Sequence, residues 1–307
     1  MNNTLKIQKL EKENLKMKLL DPEQNTFDAI MVDLTHRCNM ECANCYIPNR
    51  EIPDMDKDKL FEFVSKLPKR TFVRLIGAEA TMRDDLFEII SEVKNLGHRV
   101  SLTTNGLKLG REEYVVKLKE AGLRLVLLSM NGATDDNVYK ILDSGKYATL
   151  KHRALKNLLK HKFIVNTGTI IAKGVNEKTI KEQVDLMCHY ADLYDVKIPP
   201  VVRLRTIATL GRSMGNDHTY NFSDFKKVVC DKLDIDEQYM EENKTQEIVN
   251  NMEGYVFKYK NVFVRLVDWA VDDEGVPDFG NEMRGRITEN WQIAPFFHHV
   301  KENEYGY

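Results

Sequence analysis

The chain has 307 residues, 42% of them hydrophobic, and 45 basic against 47 acidic side chains leave a formal net charge of −2. That balance provides no global field to steer the protein toward nucleic acid, and the mean hydropathy of −0.44 belongs to a water-exposed chain. No apolar run approaches the roughly 18 residues a bilayer span needs, and the Lys-rich start lacks a signal-type apolar stretch, so the expected setting is the cytoplasm, with no membrane span and no nucleic-acid partner.

Residues 1–24 form a first segment in which Leu5, Leu10, Leu15 and Leu19 make a loose apolar stripe. The stripe predicts an amphipathic helix packed on the body of the protein. From 25 to 212, apolar β-rich runs at 27–34, 71–76, 99–104, 123–130, 163–171 and 201–207 alternate with helical patterns at 57–67, 84–96, 112–121, 150–161 and 177–193. Alternation of this kind implies βαβ units and an α/β fold built on a parallel sheet. Right-handed crossovers curl such a sheet into a doubly wound fold or a partial barrel.

The character changes after Gly211. Residues 213–307 are read as an α+β extension, with helices at 222–233 and 237–252 and a hairpin of 255–259 with 262–267 turning at Lys260 and Asn261. The tail carries Arg284, Arg286, His298 and His299 among Trp291, Phe296 and Phe297, aromatics that read as buried anchors. It either folds over the barrel mouth, where it would exclude water, or braces the outside.

Five cysteines are present, Cys38, Cys42, Cys45, Cys188 and Cys230. An odd count without an export signal is not a disulfide framework. Three of them lie on the loop that directly follows the first predicted strand, at the strand end where parallel α/β barrels gather their chemistry. Three thiolates can hold three irons of a cubane and leave the fourth open. The competing reading is a structural zinc site completed by His36.

The spacing Cys38-x-x-x-Cys42-x-x-Cys45 resembles the radical S-adenosylmethionine (SAM) superfamily, whose motif follows the first strand of a partial (β/α)6 TIM-like barrel. The resemblance covers roughly residues 28–212. It implies one [4Fe–4S] cluster on these three cysteines and SAM chelating the open iron through its amino and carboxylate groups. It further implies one-electron cleavage of SAM to a 5′-deoxyadenosyl radical, and a one-electron donor such as flavodoxin or ferredoxin. Where relatives carry an aromatic residue before the third cysteine this chain has Asn44, with Tyr46 just after as the aromatic candidate near adenine.

Further motifs stand at successive strand ends. Gly77-Ala78-Glu79 is similar to the family's Gly-Gly-Glu turn and implies contact with the methionine amino group. Thr104-Asn105-Gly106 is similar to the Thr-Asn-Gly signature near the methionine carboxylate. Ser129 and Asn131 match polar positions near the ribose, and Ile171 a strand end near adenine. Lys173-Gly-Val-Asn176 resembles the polar loop that follows. Arg203 and Arg205 alternate on one face of the sixth strand; they suit the SAM carboxylate or an acidic substrate group.

Two cysteines outside the motif are too few to ligate a second cluster, so no Cys-rich auxiliary-cluster (SPASM or twitch) domain is expected. Cys188 and Cys230 read as buried small hydrophobes; the sharper reading makes one of them a hydrogen donor to a product radical. The leading expectation is a radical enzyme acting on a small polar metabolite such as a nucleotide, a sugar or another acidic compound. Radical modification or epimerisation of a peptide is the alternative, and a non-catalytic zinc scaffold the rival from outside enzymology.

Overall fold

The computed structural model describes residues 19–43, 45, 47, 50–207, 218–245, 255–268 and 284–296. The expected N-terminal helix lies almost wholly outside them, as do Tyr46, Gly211, Arg212, Phe297, His298, His299 and the second half of the helix expected over 237–252. Each apolar run before 207 forms a strand: β1 (Ala29–Asp33), β2 (Phe72–Ile76), β3 (Arg99–Thr104), β4 (Leu125–Ser129), β5 (Ile164–Ile171) and β6 (Val201–Thr206). The helices between them are α1 (Lys57–Lys66), α2 (Leu86–Asn95), α3 (Glu112–Glu120), α4 (Asp136–Leu142), α5 (Ala148–Lys160) and α6 (Thr179–Leu193).

Local chemistry explains the helix boundaries. The Asp56 side chain caps α1 by accepting from the Asp58 and Lys59 backbone N–H groups, both at 3.0 Å, which satisfies donors that have no partner inside the helix. In α2 the buried positions are Leu86, Ile89, Ile90 and Val93, the i, i+3, i+4, i+7 stripe of a helix lying on a sheet. Helix α4, absent from the sequence reading, is a seven-residue element started by Asp135, which accepts from Asn137 N–H at 2.8 Å.

After 213 come α7 (Phe222–Leu233), α8 (Glu237–Glu242), the hairpin β7 (Tyr255–Tyr259) with β8 (Val262–Val267), then β9 (Arg284–Ile287) and β10 (Ile293–Pro295). Strands β9 and β10 have no counterpart among the runs read from the sequence. The sheet order is β10-β9-β1-β2-β3-β4-β5-β6-β8-β7. Strand β8 pairs parallel with β6 and β9 pairs parallel with β1, while β7 and β10 form antiparallel edges. The six-stranded partial barrel is thus widened at both sides by strands from the C-terminal part, and the sheet stays open.

Strand alternation sorts the two faces of the sheet. Val32, Leu75, Leu102, Leu128, Val202 and Val264 all join the hydrophobic layer under the helices. Their alternates, among them Asp33, Arg74, Ser129, Arg203 and Arg265, belong to the inner face. Phe296 is buried as expected, whereas Trp291 is only half-buried, its ring centroid 6.2 Å from that of Phe63.

Candidate active site

The loop after β1 brings Cys38, Cys42 and Cys45 to the C-terminal edge of the sheet, each half-buried and unbridged. Donors surround the sulfurs: Met40 N–H lies 3.4 Å from Cys38 Sγ, Asn105 Nδ2 lies 3.9 Å from the same atom, and Arg50 Nη2 lies 3.4 Å from Cys45 Sγ. Burial pushes the Cys38 and Cys42 thiols up, with the Asp143 carboxylate adding to the effect at Cys42. A bound metal reverses that preference by holding thiolates. Three thiols on one loop, supplied with N–H donors to sulfur, fit an iron–sulfur cluster, whose potential such hydrogen bonds tune. Among the described residues, no three His, Cys, Asp or Glu side chains take up the arrangement of a metal site by themselves. His36 is buried and, with Ile52 and Trp291, lines a cleft beside this loop.

The end of β2 is tied to the same loop through its backbone. Ala78 N–H donates to Thr35 O at 2.9 Å and Glu79 N–H to Arg37 O at 3.0 Å. Gly77 has φ +137°, and a Cβ there would lie 2.5 Å from Thr35 O, so only glycine allows this approach. Glu79 is buried and fully engaged: one oxygen accepts from Thr81 Oγ1 at 2.6 Å and Thr104 Oγ1 at 2.7 Å, and the other from Asn105 N–H at 2.6 Å. The carboxylate therefore joins the ends of β2 and β3. Asn105 completes the circuit by donating from Nδ2 to Asn39 Oδ1 at 2.7 Å.

The ends of β4 and β5 differ from the sequence reading. Asn131 spends both ends of its amide inside the protein, donating to Asp143 Oδ1 at 2.7 Å and accepting from Ile170 N–H at 3.0 Å. Its side chain braces the loop through these two bonds. Ile171 is fully buried in the outer hydrophobic layer, so alternation presents its neighbour Ile170 to the inner face. Asn176, in the polar loop singled out after β5, donates to Asn131 O at 2.9 Å and to Ile170 O at 2.7 Å. Ser129 remains half-buried at the end of β4.

Sequence reasoning missed Lys151. It is fully buried on α5, 3.3 Å from Asp143 Oδ2, and it donates to Ser129 O at 3.0 Å. Ala43 N–H donates to Leu142 O at 2.9 Å, which ties this cluster to the cysteine loop. The signal was a lysine in the stripe of α5 that also holds Leu155 and Leu158. Cys188 and Cys230 lie elsewhere: both sit in the helical layer, on α6 and α7, with Cys230 Sγ 3.0 Å from Met240 Sδ. The structure does not bring either to the cysteine loop.

Arg203 and Arg205 lie on the inner face of β6. The guanidinium of Arg203 reaches across β5, where Gly168 makes room; a Cβ there would stand 3.0 Å from Arg203 Nη2. Burial, and then the charges of Arg205, Arg265, Arg284 and Arg74, push Arg203 well below the ordinary guanidinium value. Arginine does not deprotonate in proteins, so Arg203 stays a buried cation on this face.

The family is decided by comparison with known proteins, because the sequence profile described as the radical SAM superfamily matches residues 32–187. The chain belongs to the radical SAM superfamily. As a member of that family of enzymes it uses a [4Fe–4S] cluster and S-adenosylmethionine, which removes the zinc scaffold from consideration. This radical SAM chain is 31% identical over 163 residues to a 7,8-dihydro-6-hydroxymethylpterin dimethyltransferase of Methanocaldococcus jannaschii, covering 48% of this chain and 31% of that protein. It is 29% identical over 221 residues to a GTP 3′,8-cyclase of Aquifex aeolicus, covering 69% of this chain and 64% of that protein. The chain thus spans less than two thirds of the length of these curated relatives. The crystal structure of Streptococcus suis SuiB bound to S-adenosylmethionine superposes with a TM-score of 0.65 at 14% identity, over 97% of this chain and 64% of that one. That likeness speaks for the partial-barrel fold alone. No helix among the described residues is long and apolar enough to cross a membrane.

Proposed function

We propose that this radical SAM enzyme abstracts hydrogen from a small acidic metabolite held on the inner face of its barrel. The observation that carries the reading is the placement of Arg203 and Arg205 on that face, with Arg265 opposite Arg203 in the adjacent strand. The names of the two relatives, a GTP cyclase and a pterin dimethyltransferase, support a small-molecule substrate. When bound, a [4Fe–4S] cluster would supply the single electron needed for reductive cleavage of SAM.

The chain's own residues divide the remaining work. Cys38, Cys42 and Cys45 would hold the cluster. The Gly77-Ala78-Glu79 turn receives the methionine amino group, with Glu79 balancing its charge. Thr104 and Asn105 would meet the methionine carboxylate, Ser129 the ribose and Ile170 the adenine. Asn131 and Lys151 position the loops that carry these contacts. A one-electron donor such as flavodoxin or ferredoxin serves as the physiological reductant.

The test is anaerobic reconstitution with iron and sulfide, followed by SAM and a strong reductant, with 5′-deoxyadenosine measured. The expected result is formation by the parent and none by Cys42→Ala, which loses one of three cluster ligands. Equal formation by both would remove the cysteine assignment. A turnover enhancement by a synthetic peptide, with none by phosphorylated or carboxylated metabolites, would overturn the small-molecule reading.

A further inference from the structure

The three motif sulfurs have unlike electrostatic surroundings. Cys38 Sγ is approached by neutral donors, Met40 N–H at 3.4 Å and Asn105 Nδ2 at 3.9 Å. Asn105 N–H in turn donates to the buried Glu79 carboxylate at 2.6 Å, which brings an anion to that side of the loop. Next to Cys42, the 2.9 Å bond from Ala43 N–H to Leu142 O brings in the neighbouring Asp143, whose charge is met by Lys151 at 3.3 Å. Cys45 differs from both, because a cation touches its sulfur directly: Arg50 Nη2 lies 3.4 Å from Cys45 Sγ.

The local chain holds that contact in place. Arg50 Nη1 donates to Ile47 O at 2.5 Å, and the same carbonyl accepts from Cys45 Sγ at 3.2 Å. One guanidinium therefore spans a backbone oxygen and a ligand sulfur of the same short segment, with its Nε buried. The fork has fixed geometry, so anchoring Nη1 on Ile47 O decides where Nη2 points. As a metal ligand Cys45 is a thiolate and can only accept, and Arg50 Nη2 is the donor aimed at it. The guanidinium keeps its charge in proteins, and hydrogen bonds from a charged donor are stronger than neutral ones. Cluster potentials follow net charge and the hydrogen bonds made to sulfur. An added electron makes a thiolate-bound cubane more negative, so a fixed cation beside a sulfur favours the reduced form over the oxidised one.

We propose that Arg50 is a positioning residue that orients Cys45 and holds the reduction potential of the cluster above the value a neutral side chain would give. The electron comes from the flavodoxin- or ferredoxin-type donor, and the higher potential brings the cluster within reach of such a reductant. The inference rests on the assignment of the three cysteines to the cluster and does not depend on the chemistry of the substrate.

The experiment compares parent, Arg50→Gln, Arg50→Lys and the exposed control Arg124→Met after anaerobic reconstitution. Iron and sulfide are counted, and the midpoint potential is titrated with dithionite in the absence of SAM, followed by cluster absorbance and electron paramagnetic resonance. In Arg50→Gln the equilibrium constant for reduction should fall about 10-fold, or about 59 mV for a one-electron couple. Arg50→Lys restores the charge and should recover most of that loss, and Arg124→Met should match the parent. A loaded Arg50→Gln protein with the parent's potential would overturn the proposal, as would equal losses in the Gln and Lys variants, which would make the fork and not the charge responsible. Should Arg50→Gln fail to keep a cluster, Arg50→Lys decides: a potential near the parent's upholds the charge reading, and a 10-fold loss or an empty site overturns it. A parent that takes up no cluster defeats the cysteine assignment and this inference with it, whereas an unchanged potential in loaded Arg50→Gln defeats this inference alone.

Discussion

Two buried charge clusters lie in the same barrel and are built on opposite principles. Between β4 and α5, Lys151 faces Asp143 at 3.3 Å, Asp143 accepts from Asn131, and Lys151 donates to Ser129 O. There one cation meets one anion in an ion pair, with Asp143 Oδ2 making no hydrogen bond of its own. On the inner face of β2, β6, β8 and β9 six arginines share the described strands with one acid, Asp33. A buried charge balanced by the protein serves the fold, because removing one partner leaves the other stranded.

The largest effect should come from breaking the balanced cluster. Lys151→Met leaves Asp143 buried without its cation, and about 3–5 kcal/mol of stability should be lost. Arg203→Met removes a charge from among like charges, and unfolding of the ligand-free protein should change by less than about 1 kcal/mol, in either direction. Urea unfolding of the two variants beside the parent makes the comparison directly. Similar large losses in both would mean that the arginines are as structural as the lysine.

A smaller effect is expected at Glu79, which lies on the cofactor side and resembles the balanced cluster in being fully engaged. Glu79→Gln substitutes an amide donor where hydroxyl and backbone donors from Thr81, Thr104 and Asn105 converge. Leaving such donors unmatched costs about 1–3 kcal/mol, and the loss of charge should weaken SAM binding by about 10-fold. Equilibrium dialysis with SAM on cluster-loaded protein measures it. Unchanged affinity would make Glu79 a purely structural clasp between β2 and β3.

Why the sequence disclosed some of this and not the rest follows from range. Strands β1 to β6 were legible because Val-, Ile- and Leu-rich runs recur between helical stripes. The cysteine loop and Glu79 were legible because they follow strand ends directly. Strands β9 and β10 were not: Arg284-Gly-Arg-Ile287 has no apolar alternation, and its partner β1 lies some 250 residues earlier, as the Arg286–Asp33 separation of 253 records. Helix α4 was too short for periodicity to register. Asp143 and Lys151 are near in sequence, yet only the α4–α5 turn makes them a pair. Arg203 and Arg205 were visible by alternation, while their joining with Arg74, Arg265 and Arg284 required the strand order. For Asn131 and Ile171 the buried partners and the face were not legible, because a position at a strand end does not tell which of either the side chain takes.

The smallest effect concerns a half-exposed ion pair on the cofactor side. Arg83 is buried and holds the exit of β1 by donating to Leu34 O at 2.9 Å and Met55 O at 2.6 Å. Asp85 fixes it through two hydrogen bonds at 2.8 and 2.7 Å. The hydrogen bond from Arg83 holds the Asp85 carboxyl below its usual value, against a smaller opposing effect of burial. A carboxyl lowered in the folded state binds fewer protons there than in the unfolded chain. Its contribution is therefore complete above the unfolded value of about 3.9 and disappears as pH falls through the lowered folded value. Solvent screening keeps it to about 1 kcal/mol or less. The stability difference between parent and Asp85→Asn should accordingly be constant from about pH 7 to pH 5 and shrink below about pH 4. A difference that stayed constant below pH 4 would mean that Arg83 is held by its two carbonyl acceptors and not by Asp85.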